Sequence, residues 1–205
     1  MDIKTILITG STDGIGKLTA IKLSKAGHHV IVHGRNTEKV NRTISEIKEQ
    51  TSNEKIDGFI SDLSDFESVK RMTDQVAAAC AKIDVLVNNA GVFKSSTTVN
   101  QEGLDLRFAV NYLAPYILTQ RLVSLLMKSA SPRVLNLSSA AQSSVDLAAL
   151  SGAKALSNQD AYAQSKLALT MWSFDFAHTF REITTIAVNP GSLLNTNMVK
   201  AAYGH

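Results

Sequence analysis

The stretch from Leu7 to Leu23, "LITGSTDGIGKLTAIKL", decides the fold. A short apolar run stops at Thr9, three glycines follow at Gly10, Gly14 and Gly16, and a helical pattern begins at once. A strand that turns into a helix through glycines brings main-chain N–H groups and the positive helix end to one point, with no Cβ to block close approach. A pyrophosphate fits such a turn. The same turn is the first half of a right-handed parallel crossover, so strands and helices should alternate along the rest of the chain.

They do. Apolar runs rich in Ile and Val recur as "TILITG" from Thr5, "HVIVHG" from His29, "IDGFIS" from Ile56, "VLVNNAG" from Val85, "RVLNLSS" from Arg133 and "TTIAVNPG" from Thr184. Each reads as a strand buried on both faces. Helical periodicity fills Ile15 to Ala26, Thr37 to Gln50, Phe66 to Ala79, Glu102 to Ser129 and Ala161 to Phe180. The expected fold is α/β, a doubly wound parallel sheet between two helical layers, as one domain over residues 1–205. The Ala- and Ser-rich stretch from Ala140 to Asp160 is long for a loop, and loops of that length are often functional.

Composition excludes several classes. A chain of 205 residues that is 44% hydrophobic can bury one sizeable core. With 21 basic against 18 acidic residues, scattered rather than clustered, no nucleic-acid or membrane patch is expected. Cys80 is the only cysteine, which excludes an internal disulfide, and the five histidines lack metal-ligand spacing, so no metal site is expected. The first residues have too short an apolar run for a signal segment, and no later window approaches a membrane span. A cytoplasmic location and no membrane partner are the expectations.

Two further places carry chemistry. The second strand ends in "VHGRN", where an acidic side chain would bind an adenosine ribose hydroxyl and repel a 2′-phosphate. Arg35 stands there instead, with Asn36 beside it, and a planar guanidinium suits a phosphate. NADP(H) is therefore expected over NAD(H), which remains the alternative, and a solvated loop arginine is the plainer reading. In "NQDAYAQSKLALT", Tyr162 and Lys166 are four residues apart and share one helix face. Tyrosine titrates near 10, too high for proton transfer at neutral pH, and a neighbouring cation favours the phenolate.

Thr9 to Gly16 reads TGxxxGIG, and with "NNAG" from Asn88, "VNYLAP" around Asn111, "NLSS" ending at Ser139, "YAQSK" from Tyr162 and "NPG" from Asn189 it resembles the short-chain dehydrogenase/reductase family. The pattern covers nearly the whole chain and is similar to the retinol-dehydrogenase-like branch. The resemblance implies a Rossmann sheet, an oxidoreductase acting on a small carbonyl or alcohol, and a homo-dimer or homo-tetramer. It implies that Gly10, Ser11, Thr12, Asp13, Gly14, Ile15 and Gly16 hold the pyrophosphate, and that Asp62 and Leu63 meet the adenine. A plainer role near Asp62 is the cap of the helix beginning at Phe66, for which Ser64 is the more natural residue. Asn89, Ala90 and Gly91 would lie beside the adenosine ribose, with Asn88 equally readable as structural.

By the same resemblance Tyr162 is the general acid or base, and Lys166 holds the nicotinamide ribose. Ser139, rather than its neighbour Ser138, hydrogen-bonds the substrate oxygen, and Asn111 holds a water that reaches Lys166. Pro190, Gly191 and Thr196 would meet the nicotinamide, although the family's PGxxxT spacing falls on Asn195 here. The branch handles bulky apolar alcohols, aldehydes or ketones, and its members continue with substrate-covering helices that a chain ending at His205 would lack. A non-catalytic nicotinamide-binding sensor or scaffold is the rival class, with a sugar-nucleotide epimerase or dehydratase ranked behind it.

Overall fold

The computed structural model describes residues 2–191. Six strands, β1 (Thr5–Ile8), β2 (His29–Gly34), β3 (Ile56–Ile60), β4 (Val85–Asn88), β5 (Arg133–Leu137) and β6 (Thr184–Val188), form one parallel sheet in the order β3-β2-β1-β4-β5-β6. The chain runs outward from β1 through β2 to β3, then returns to β4 on the other side of β1. Order therefore reverses between β1 and β4, and the carboxyl ends of all six strands share one edge.

Helices α1 (Gly14–Lys25) and α2 (Thr37–Thr51) cover one face; α3 (Phe66–Ala79), α5 (Ala114–Leu126) and α7 (Asn158–Thr179) cover the other. Strand alternation sorts the core accordingly. Ile6, Ile8, Val30 and Val32 pack with Ala20, Val40 and Ile47, whereas Leu7, Ile31, Leu86 and Val134 pack with Met72, Val76, Leu118, Leu122 and Phe176. Each such side chain contributes roughly 1.5–3 kcal/mol on burial. The outer strands depart from the expected burial on both faces: Ile60 on β3 and Ile186 on β6 are 42% and 44% exposed, because each lies at an edge of the described sheet.

Side-chain caps fix the helix starts. Asp13, Asn36, Asp65 and Ser157 accept main-chain N–H bonds at the starts of α1, α2, α3 and α7. The cap of α3 is thus Asp65 and not Ser64, whose own N–H and hydroxyl both turn back to Asp62.

The expected helix from Glu102 to Ser129 is three pieces: α4 (Leu106–Phe108), a π-helical turn over Ala109–Leu113, and α5. Residues 100–104 form a turn held by the Asn100 side chain instead. Pro115 explains the break in register, since it has no N–H for the Asn111 carbonyl, and the Ala114 N–H bonds Ala109 O five residues back. In the long Ala140 to Asp160 segment a short helix, α6 (Leu147–Leu150), starts at Asp146, whose N–H donates to Gln164 Oε1 of α7 at 2.9 Å. The loop is therefore folded against its neighbours. A Cβ on Gly152 would lie 2.9 Å from the Gly103 carbonyl, so this knob packs on the 100–104 turn.

A buried polar chain crosses the centre. Asn88 Nδ2 donates to Asn136 Oδ1 at 2.7 Å and to Thr119 Oγ1 at 3.0 Å, and Asn136 Nδ2 donates to Ser173 Oγ at 2.8 Å. Asn88 is therefore structural. Replacing Asn136 by Ala strands one donor of Asn88 and the Ser173 acceptor, and should cost about 2–3 kcal/mol. Urea unfolding should show a lower midpoint at unchanged slope, and an unshifted midpoint would contradict this role.

Candidate active site

Because every strand points the same way, each motif falls at the carboxyl edge: Thr9 to Gly16 after β1, Arg35 and Asn36 after β2, Asp62 and Leu63 after β3, Asn89 to Gly91 after β4, Ser138 and Ser139 after β5, and Asn189 to Gly191 after β6. Gly10 and Gly14 take the left-handed conformation at φ of 62° and 53°. Gly16 is required for a different reason. A Cβ there would lie 2.5 Å from both Asn89 Nδ2 and the Gly10 carbonyl.

Asn89 Nδ2 donates to Thr9 O at 2.7 Å and Gly10 O at 3.1 Å, and Thr9 Oγ1 accepts the N–H groups of Asn89 and Ala90, both at 3.0 Å. The glycine loop and the β4 loop are one unit, joined by the Asn89 amide. Ser11 lies beneath the loop. It is fully buried, its hydroxyl donates to Ile8 O and accepts the His33 N–H, and its own N–H donates to His33 O. Donors that suit an anion include those of Ile15 and Gly16 at the start of α1, where a helix has no internal acceptor. Asp13 caps that helix from an exposed position.

Arg35 is exposed at the end of β2, and the Asn36 side chain is occupied as the α2 cap. Thr12 lies against Gly34, whose Cβ would come within 2.7 Å of the Thr12 methyl. Asp62 is exposed, with Oδ1 accepting from Ser64, while the Leu63 side chain turns into the core. Pro190 and Gly191 follow β6; Thr196 lies outside the described residues.

Tyr162, Lys166 and the end of β5 come together. Lys166 is buried in α7, its Nζ donates to Leu137 O at 2.7 Å, and the same atom is 5.7 Å from the Tyr162 ring centroid. Burial pushes the Lys166 ammonium down to about 8, so it is still largely charged at neutral pH. Phe93 packs edge-on against Tyr162 with centroids 5.1 Å apart.

The two serines differ. Ser138 is buried and its hydroxyl lies between Lys166 O at 3.1 Å and Thr170 Oγ1 at 2.7 Å, which pins β5 to α7. Ser139 is partly exposed and its Oγ accepts only the Ala141 N–H, at 3.1 Å, among the described residues. Asn111, in the π turn, pairs with Val92 through both amide atoms at 2.8 and 3.0 Å and donates to Ser165 Oγ at 3.0 Å. It joins the β4 loop to α7 one residue before Lys166.

Sequence reasoning missed His33, Ser165 and the Leu137 carbonyl. Ser165 adjoins Lys166, but no residue-type pattern marks it, and a main-chain acceptor has no residue-type signal at all. His33 follows the apolar run Val30 to Val32 and forms no motif with its neighbours in sequence.

The chain belongs to the short chain dehydrogenase family, which it matches over residues 4–204. It is 33% identical to human polyprenol dehydrogenase over 98% of this chain and 63% of that protein. It is 34% identical to mouse retinol dehydrogenase 13 over 92% of this chain and 58% of that protein. The chain thus spans about three fifths of these curated relatives. Among solved structures, a short chain dehydrogenase from Shigella flexneri complexed with NADP superposes with a TM-score of 0.82 at 28% identity, over 100% of this chain and 83% of that one. One from Escherichia coli complexed with NADPH gives 0.82 at 28%, over 100% and 82%.

The buried ammonium gives a direct check. Lysine normally titrates near 10.5; between about 8 and that value the unfolded chain holds a proton that folded Lys166 lacks, so stability should rise with pH across this window. NMR of ¹³Cε-labelled lysine should resolve one signal with a midpoint near 8 that disappears in Lys166→Met. All described lysines titrating together in the ordinary range would contradict the burial.

Proposed function

We propose that the chain is the nucleotide-binding and catalytic body of an NADP(H)-dependent oxidoreductase acting on a carbonyl or alcohol. The observation that carries the reading is the buried Lys166 cation beside Tyr162, next to the Ser139 end of β5 and on the same sheet edge as the glycine loop. A dinucleotide fits the residues present. The crossing at Gly16 leaves no space for a Cβ, the α1 start offers main-chain donors, and Arg35 stands where a 2′-phosphate would be read.

When bound, the nicotinamide supplies or accepts the hydride. Tyr162 donates its phenolic proton to the substrate oxygen in reduction and takes it back in oxidation. Lys166 favours the phenolate that is left, because its positive charge is held close and shielded from water. Its Nζ keeps donors beyond the one given to Leu137 O, and these suit the hydroxyls of a nicotinamide ribose. Ser139 donates to the substrate oxygen where negative charge develops, the task its partly exposed hydroxyl can perform and that of Ser138 cannot. Asn111 fixes the Val92 segment against α7 and so sets the wall beside Tyr162.

A bulky apolar alcohol, aldehyde or ketone is the proposed substrate class. Phe93 against Tyr162 supports this, as do the names retinol dehydrogenase and polyprenol dehydrogenase carried by relatives.

Two variants separate chemistry from binding. Tyr162→Phe should lower turnover by about 100-fold or more while NADPH affinity stays within about threefold; undiminished turnover would overturn the assignment. Arg35→Ala should weaken NADPH by about tenfold and NADH hardly at all. Equal weakening of the two would remove the 2′-phosphate reading.

A further inference from the structure

His33 is the last but one residue of β2 and is 2% exposed. Its ring touches both loops that flank it. Nδ1 receives the Gly10 N–H at 3.0 Å, and since a main-chain nitrogen can only donate, Nδ1 carries no hydrogen. The hydrogen is therefore on Nε2, which donates to Ser61 O at 3.2 Å. One tautomer satisfies both bonds, and the main chain of His33 is also exchanged with Ser11 in both directions at 2.9 Å. Burial holds the ring neutral, its midpoint lowered to about 4.

Each of the two tethered residues leads into a stretch at the carboxyl edge. Gly10 opens the loop whose far end is the α1 start, and Ser61 precedes Asp62 at the end of β3. The Gly10 and Ser11 N–H groups are both turned to His33 and away from an anion at the start of α1. The imidazole thus holds the Gly10 N–H on one side and the Ser61 carbonyl on the other, joining the glycine loop to the end of β3.

We propose that His33 is a positioning residue for the dinucleotide, acting through the Gly10 tether rather than by touching the cofactor. The proposal rests on the chain's binding a nicotinamide dinucleotide, as the proposed function requires. An apolar core residue in place of His33 would fill the space but leave the Gly10 N–H without an acceptor and free to redirect the loop.

Two isosteres divide the ring's functions. In His33→Asn the amide oxygen sits where Nδ1 was and keeps the Gly10 acceptor. In His33→Gln the amide nitrogen reaches the place of Nε2 and keeps only the Ser61 bond. Amide hydrogen exchange of the cofactor-free protein should show Gly10 protected in the unmodified protein and in His33→Asn, and at least about tenfold faster in His33→Gln. NADPH titration followed by fluorescence should give His33→Asn within about twofold of the unmodified protein, and His33→Gln weaker by about tenfold. Thermal melts of the two variants should not follow that order. Gly10 protection retained in His33→Gln, or equal affinities in the two variants, would overturn the tether. Failure of the unmodified protein to bind NADPH or NADH would instead overturn the proposed function, and the exchange result would still judge the tether.

Discussion

The crossing of the β1 and β4 loops at Gly16 is the constraint on which the rest depends. Asn89 Nδ2 bonds the carbonyls of Thr9 and Gly10 in a space that a Cβ on Gly16 would occupy at 2.5 Å. That contact needs β1 and β4 to be neighbours, which the reversal of strand order supplies. It leaves α1 starting directly at the edge, with its first N–H groups facing outward. Alanine at Gly16 would have to displace the Gly10 main chain as well as the Asn89 amide.

From that crossing the groups needed for chemistry are reached through short physical links. Asn88, next to Asn89, begins the buried amide chain to Asn136 and Ser173, which sets β4, β5 and α7 in register. With α7 fixed, Lys166 reaches Leu137 O and Ser138 bonds Lys166 O, so the buried cation is gripped at both its ammonium and its main chain. Asn111 adds the third side by tying Val92 to Ser165. Polar groups buried this deeply are costly unless satisfied, so their mutual bonding selects one arrangement.

Much of this is legible in the sequence, for identifiable reasons. Central parallel strands are apolar on both faces, so the six described strands can be located from short runs rich in Ile, Val and Leu. The α3 span, Phe66 to Ala79, is found as read from its amphipathic pattern. The pattern between Glu102 and Ser129 misleads because periodicity does not register that Pro115 removes one donor and shifts the turn around Asn111 to π spacing. In the site, residue type and order point to Tyr162, Lys166 and Ser139, but they do not show that the Ser11 side chain bonds β1 and β2 or that the Asn89 amide bonds the glycine loop. A side chain's hydrogen-bond partners depend on contacts between distant strands, which no local pattern encodes. His33 is invisible for the same reason.

The proposed reaction moves a hydride between a nicotinamide and a carbonyl carbon held beside Tyr162. The most direct measurement uses NADPH deuterated at both C4 positions, with an apolar long-chain aldehyde and mass spectrometry of the recovered alcohol. One deuterium on the carbinol carbon of the product is the predicted result. NADPH bound with no labelled alcohol from any member of a panel of aldehydes and ketones would contradict it.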